Sequence, residues 1–258
     1  MNEKNYQFLS RALGKLGFED SLNNALRTKM QLNFDSFDLR AKVTHGSDQM
    51  VHELHFDKKK DGEFYFLNNQ TVTLTKPNEQ PITQRFGFFN QSGFSNEEAY
   101  NLMNGRSVRN TRTEDEKTYV VWTYIDFNSE KNKHDNYVMR SPKENDLKFD
   151  LKETLDKLPI QSLSPAEREK LEQSLASGNV VSATVKVAGQ LEKVNLTANP
   201  TMRMINVVDG EGKKVSLSKN KVELLPEDNV KQLPDTTKRL LEKEKTQGQS
   251  QGKKIGNG

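Results

Sequence analysis

The period of the apolar positions changes along the chain, and the changes divide it into elements. Near the start, Leu9, Leu13 and Leu16 follow the i, i+4, i+7 spacing of one helical face, and Leu22, Ala25, Leu26 and Met30 resume the stripe beyond Gly17. Two short helices with a glycine-containing break fit this pattern better than one long helix. From Asn33 the period becomes two. Phe37, Leu39, Ala41 and Val43 alternate with polar residues, and Met50, His52, Leu54 and Phe56 do the same after a turn at Gly46-Ser47-Asp48. Lys58-Lys59-Lys60-Asp61-Gly62 supplies a hairpin loop with Asp-Gly as its turn signal, and further strands are expected over residues 64–75 and 82–89. The expectation is an antiparallel meander.

Ser95-Asn96-Glu97-Glu98 has the spacing of a capping box and opens a short helix that ends at Gly105. Residues 118–127, β-branched and aromatic throughout, form the strongest strand signal, with residues 136–140 as its expected partner. Pro142 and its polar neighbours mark a boundary. Beyond it, a helix over residues 150–158 stops before Pro159. Ser164-Pro165-Ala166-Glu167 combines an N-cap, a proline at the first helical position and a capping-box glutamate, and Gly178-Asn179 closes the helix it opens. Alternating runs follow over residues 181–187, 191–197, 204–208 and 215–217. The fold class this implies is α+β: two small units, 1–140 and 147–220, each of helices followed by an antiparallel β-meander. Residues 226–258 read as a polar, basic and flexible tail.

Composition narrows the function classes. With 33% hydrophobic and 29% charged residues the core is modest and the surface heavily solvated. There is no cysteine, which removes disulfides, thiolate metal sites and cysteine nucleophiles together and suits a reducing compartment. The polar start, Met1-Asn2-Glu3-Lys4-Asn5-Tyr6, is unlike a signal peptide, and no window reaches the ~20 apolar residues that cross a bilayer. A soluble cytoplasmic protein that binds no membrane is expected. The net charge of +3 is uneven, with +5 from Lys213 onward and −2 before it, so the body is near neutral and the tail basic.

Residues 147–217 resemble a short bacterial domain of unknown function that is common in Bacteroidota, is often carried on conjugative elements and is attached to some type IA topoisomerases. The residues that carry the resemblance are Pro159-Ile160 with Leu163, Ser174-Leu175 with Gly178-Asn179, Ala198-Asn199-Pro200, and Ile205-Asn206-Val207 with Asp209. Upstream, Glu98-Ala99-Tyr100-Asn101-Leu102 with Gly105-Arg106 is similar to the N-terminal region of stand-alone members. The resemblance implies company with mobile DNA; it implies no activity and no catalytic residues.

Candidate chemistry is sparse. His52 and His55 flank Glu53, but positions i and i+3 of a strand face opposite sides, so the two imidazoles cannot converge on one metal ion. No Gly-x-Ser-x-Gly elbow, phosphate-cradling Gly-x-x-x-x-Gly-Lys-Ser/Thr or Gly-x-Gly-x-x-Gly is present. No cofactor is implied. Arg106, Arg109 and Arg112, expected in a loop with Ser, Asn and Thr donors between them, are the best candidate phosphate contacts. The competing reading is a solvated loop paired with Glu114, Asp115 and Glu116. Lys238-Arg239 and Lys253-Lys254 could add weak, salt-sensitive affinity. Trp122 reads as a core residue. The leading expectation is a non-enzymatic accessory protein that binds a protein partner through a sheet edge. The alternative is binding of DNA or RNA through the three arginines and the tail, and an enzyme with an unrecognised site stands behind both.

Overall fold

The computed structural model describes residues 1–60, 62–88, 93–114, 116–187 and 190–215. They form two compact units, one of Met1–Met103 with Lys131–Asn136, the other of Asn104–Glu130 with the described residues from Tyr137 on. Helices and antiparallel sheets make up both, so the fold class is α+β.

In the first unit, α1 (Glu3–Lys15) starts where the Asn2 side chain accepts from the Asn5 amide, and its stripe of Asn5, Leu9 and Leu13 is buried. A 3-10 turn at Glu19–Leu22 leads into α2 (Asn23–Gln31). The break falls at Gly17, whose φ of +84° and close approach to Asn96 both exclude a side chain; an added Cβ would lie 2.6 Å from the Asn96 amide nitrogen. Then come β1 (Ser36–His45), β2 (Asp48–Lys58), β3 (Tyr65–Thr75) and β4 (Ile82–Gly87), in that order across one antiparallel sheet. Alternation buries Phe37, Leu39, Leu54, Phe56 and Tyr65 against Leu9, Leu13, Leu26 and Met30 of the helices. The Ser95–Glu98 capping box closes as expected, with the Ser95 amide donating to the Glu98 carboxylate at 2.9 Å, and starts α3 (Asn96–Met103).

The second unit begins with β5 (Val108–Glu114), β6 (Lys117–Asp126) and β7 (Val138–Arg140), a sheet in the order β5-β6-β7. Three helices follow, α4 (Glu144–Leu147), α5 (Leu151–Asp156) and α6 (Pro165–Ala176). The chain ends its described course in β8 (Val181–Val187), β9 (Gln190–Asn199) and β10 (Met204–Val208), ordered β10-β9-β8. The division by packing therefore differs from the boundary expected between 140 and 147. Trp122 of β6 is fully buried in one core with Phe149, Leu155, Leu171 and Leu196, which ties β5–β7 to the helices after them. Nothing local in the sequence around Pro142 reports that long-range contact. The tail expected over 226–258, with its Lys238-Arg239 and Lys253-Lys254 pairs, lies outside the described residues. Among the described residues no helix is long and apolar enough to cross a membrane.

Candidate functional site

The third sheet presents two edges, and the chain treats them differently. At β10 the return segment pairs with the edge: Val208 bridges to Lys214, and the Val215 amide donates to the Val207 carbonyl at 2.9 Å. At β8 only half the edge is occupied. Ile160 bridges to Val185, the Gln161 amide donates to the Thr184 carbonyl and the Lys186 amide to the Pro159 carbonyl, both at 2.8 Å. Pro159 ends the helical region before it, and Ser164 caps α6 just after it, so the intervening segment must leave β8 beyond Gln161.

That departure exposes backbone. Groups on one residue of a strand point the same way, and successive residues point to opposite sides. Since Thr184 and Lys186 address the segment at Pro159–Gln161, Ser182 has its amide and carbonyl on that same side, with no partner there among the described residues. Beside it lies a groove of about 640 Å³ between β8 and α6. Its apolar wall is Leu163, Leu171, Val181 and Ala183, with Lys170 and Lys193 at its rims. A second hollow of about 290 Å³ lies against the same segment, bordered by Leu155, Leu158 and the Arg168–Asp156 ion pair at 2.6 Å. Glu167 also lines the groove but is held by the cap, where it accepts from the Ser164 amide at 2.8 Å and hydroxyl at 2.7 Å; these bonds keep its carboxyl below its ordinary value. The arrangement offers an extended polypeptide the backbone amide and carbonyl of Ser182 and an apolar seat for alternate side chains.

The three arginines are arranged otherwise than expected. Arg109 and Arg112 lie in β5, paired with β6, and only Arg106 precedes it. Strand alternation puts Arg109 on the face of its cross-strand partner Trp122 and Arg112 on the opposite face with Tyr119. Arg109 does not pair with Glu114 or Glu116; it grips Glu144 with two bonds, Nε at 2.6 Å and Nη2 at 2.9 Å. The same carboxylate accepts from the indole nitrogen of Trp122 at 2.9 Å, and the bonds to Glu144 raise the Arg109 guanidinium above its ordinary value. Arg112 donates to the Ser141 hydroxyl at 2.9 Å, which in turn is 2.9 Å from the Thr123 hydroxyl. Arg106 is half-buried. Asp115 lies outside the described residues.

The histidines also separate. His55 sits on the outer face of the first unit's sheet between Asp38, at 2.7 Å, and Asp57, at 3.2 Å. His52 faces the core, fully buried, its Nδ1 3.3 Å from the Gln70 side-chain oxygen and its ring edge-on to Phe18 at 5.1 Å. Its Nε2 is buried with no hydrogen-bond partner, and burial pushes its pKa down to about 4. Among the described residues no group of three or more histidines and carboxylates could hold a metal ion.

Lys170, Ser182 and Lys193 fall inside the helix and the alternating runs that the sequence marks, but no signal in the sequence sets them at a groove. Compared with protein-family models, with curated proteins and with solved structures, the chain matches none.

Proposed function

We propose that this chain is a non-enzymatic interaction protein that takes up a segment of a protein partner as an added β-strand on the open half of β8. The observation that carries the reading is the Ser182 backbone, turned outward beside an apolar groove. Backbone pairing contributes about 1 kcal/mol per hydrogen bond, and burying one partner side chain about 2 kcal/mol. A strand of a few residues thus binds weakly and reversibly, which suits an accessory role. The likeness of residues 147–217 to a domain carried on conjugative elements supports a setting on a mobile genetic element, in a reducing cytoplasm.

The test is Ser182→Pro. Proline removes the outward amide and leaves the backbone pairing of β8 with β9 in place, because the Ser182 amide points away from β9; the one contact to β9 it gives up is the exposed bond the Ser182 hydroxyl donates to Asn195 at 2.8 Å. A partner crosslinked to the chain in cells should be lost with this variant while its far-UV circular dichroism stays unchanged. Equal capture by the folded variant overturns the reading.

A second reading, binding of DNA or RNA, draws on the face of β5–β6 opposite Trp122. There Arg112 is exposed next to Tyr119, and Lys143 lies 4.4 Å over the Tyr119 ring. Aromatic and cationic groups side by side suit a nucleic-acid strand, with Arg106 and the basic tail adding charge. Anisotropy with labelled DNA at low and physiological salt tests it: affinity that falls steeply with salt and disappears in Arg112→Ala supports it, and no binding at low salt ends it.

A further inference from the structure

We infer that the strand received by β8 alternates apolar with acidic residues, its apolar side chains toward α6 and its carboxylates toward Lys193. The inference rests on the strand-addition reading and follows from the two faces of the sheet. A strand added to β8 continues the alternation of its neighbour, so successive side chains face opposite sides. On the α6 side they meet Leu171, Val181 and Ala183, and Leu163 of the departing segment. Only apolar side chains gain there.

On the other side the register sets Thr184 opposite Lys193, Ser182 opposite Asn195 and Lys186 opposite Leu191. Alternation places all six on one face, and Glu192, opposite Val185, on the other. The charged side chains of β8 and β9 on this face are therefore both lysines, and neither is in an ion pair among the described residues. Lys186 stands beside the half of the edge that Pro159 occupies, so Lys193, which lines the groove, is the one an added strand meets. Lys170 adds a third cation at the rim on the helix side, where the nearby Glu167 is committed to the α6 cap. A strand with carboxylates at alternate positions complements this field, and one with lysines there is repelled. A phosphate backbone could also meet the lysines. It offers acceptors only, so it leaves the outward carbonyl of Ser182 unfilled and the apolar wall uncovered. The observations favour a polypeptide.

The experiment uses the full chain and three fluorescent probes: a peptide alternating valine and glutamate, its counterpart alternating valine and lysine, and an oligothymidylate. Anisotropy should show the acidic peptide bound about five-fold or more tightly than the basic one, on the scale expected for one exposed charge pair changing sign. Lys193→Glu should reverse the preference. Equal binding of the two peptides, abolished in both cases by Ser182→Pro, overturns the acidic preference and leaves strand addition standing. Binding of neither peptide, or acidic binding that Ser182→Pro does not change, overturns both. Oligothymidylate binding that depends on Lys193 while the acidic peptide fails to bind also overturns the inference.

Discussion

Acidification should weaken the first unit through one side chain, His52. The ring is fully buried on the core face of β2, and burial outweighs the one contact that favours a positive charge, the Gln70 oxygen. Gln70 of β3 supplies one oxygen at 3.3 Å, Phe18 presents its ring, and His45 of β1 lowers the pKa further by its own charge. The neutral form is the one that fits, and the pKa falls from 6.5 to about 4. The unfolded chain takes up a proton below about pH 6.5, while the folded chain refuses it until about pH 4. The stability at stake is fully present above pH 6.5 and is lost as the pH falls through that window. A shift of this size corresponds to about 3 kcal/mol in all, and about 2 kcal/mol is gone by pH 5. Amide exchange of the β2 and β3 core residues, followed by NMR, isolates the first unit from the second. Global exchange there should accelerate about thirty-fold between pH 7 and pH 5, after correction for the intrinsic rate. His52→Leu should be less stable at neutral pH but lack most of that slope. A His52 ring that titrates near 6.5 in the folded protein, or an equal slope in His52→Leu, refutes the reasoning.

Three further outcomes follow from single contacts. Glu144→Ala strands the indole N–H of Trp122 and the Arg109 guanidinium together, and should cost the second unit about 2 kcal/mol in urea unfolding and shift Trp122 fluorescence to the red. Gly17→Ala meets both a φ of +84° and the Asn96 side chain, so calorimetry should show a loss of about 1–2 kcal/mol or more in the first unit. Leu171→Ala removes a side chain shared by the second unit's core and the groove, and should cost about 2–5 kcal/mol while weakening the acidic peptide.

The elements that were legible in the sequence are those specified locally. Stripes of leucines marked α1 and α2, strict alternation marked β1 and β2, and the Ser95 and Ser164 capping boxes placed α3 and α6. The same alternation separated His52 from His55, and the structure sets them on opposite faces. What was not legible depends on residues far apart in the chain. Arg109 finds Glu144 at a separation of 35 residues, which turns an expected phosphate loop into part of a strand clamped over Trp122. The packing of Trp122 against Phe149, with ring centroids 5.4 Å apart, joins β5–β7 to the second unit, whereas the proline at 142 suggested a boundary. The groove exists because the segment at Pro159–Gln161 pairs with only part of β8, and no periodicity records where two strands part company.

The most direct test of strand addition is residue-resolved amide exchange of the second unit with and without the alternating valine–glutamate peptide. The Ser182 amide, turned outward, should be slowed when the peptide binds, while the amides that bond β8 to β9 change little. An unchanged Ser182 amide under saturating peptide, or protection confined to the Arg112 face of β5 and β6, contradicts the proposed site.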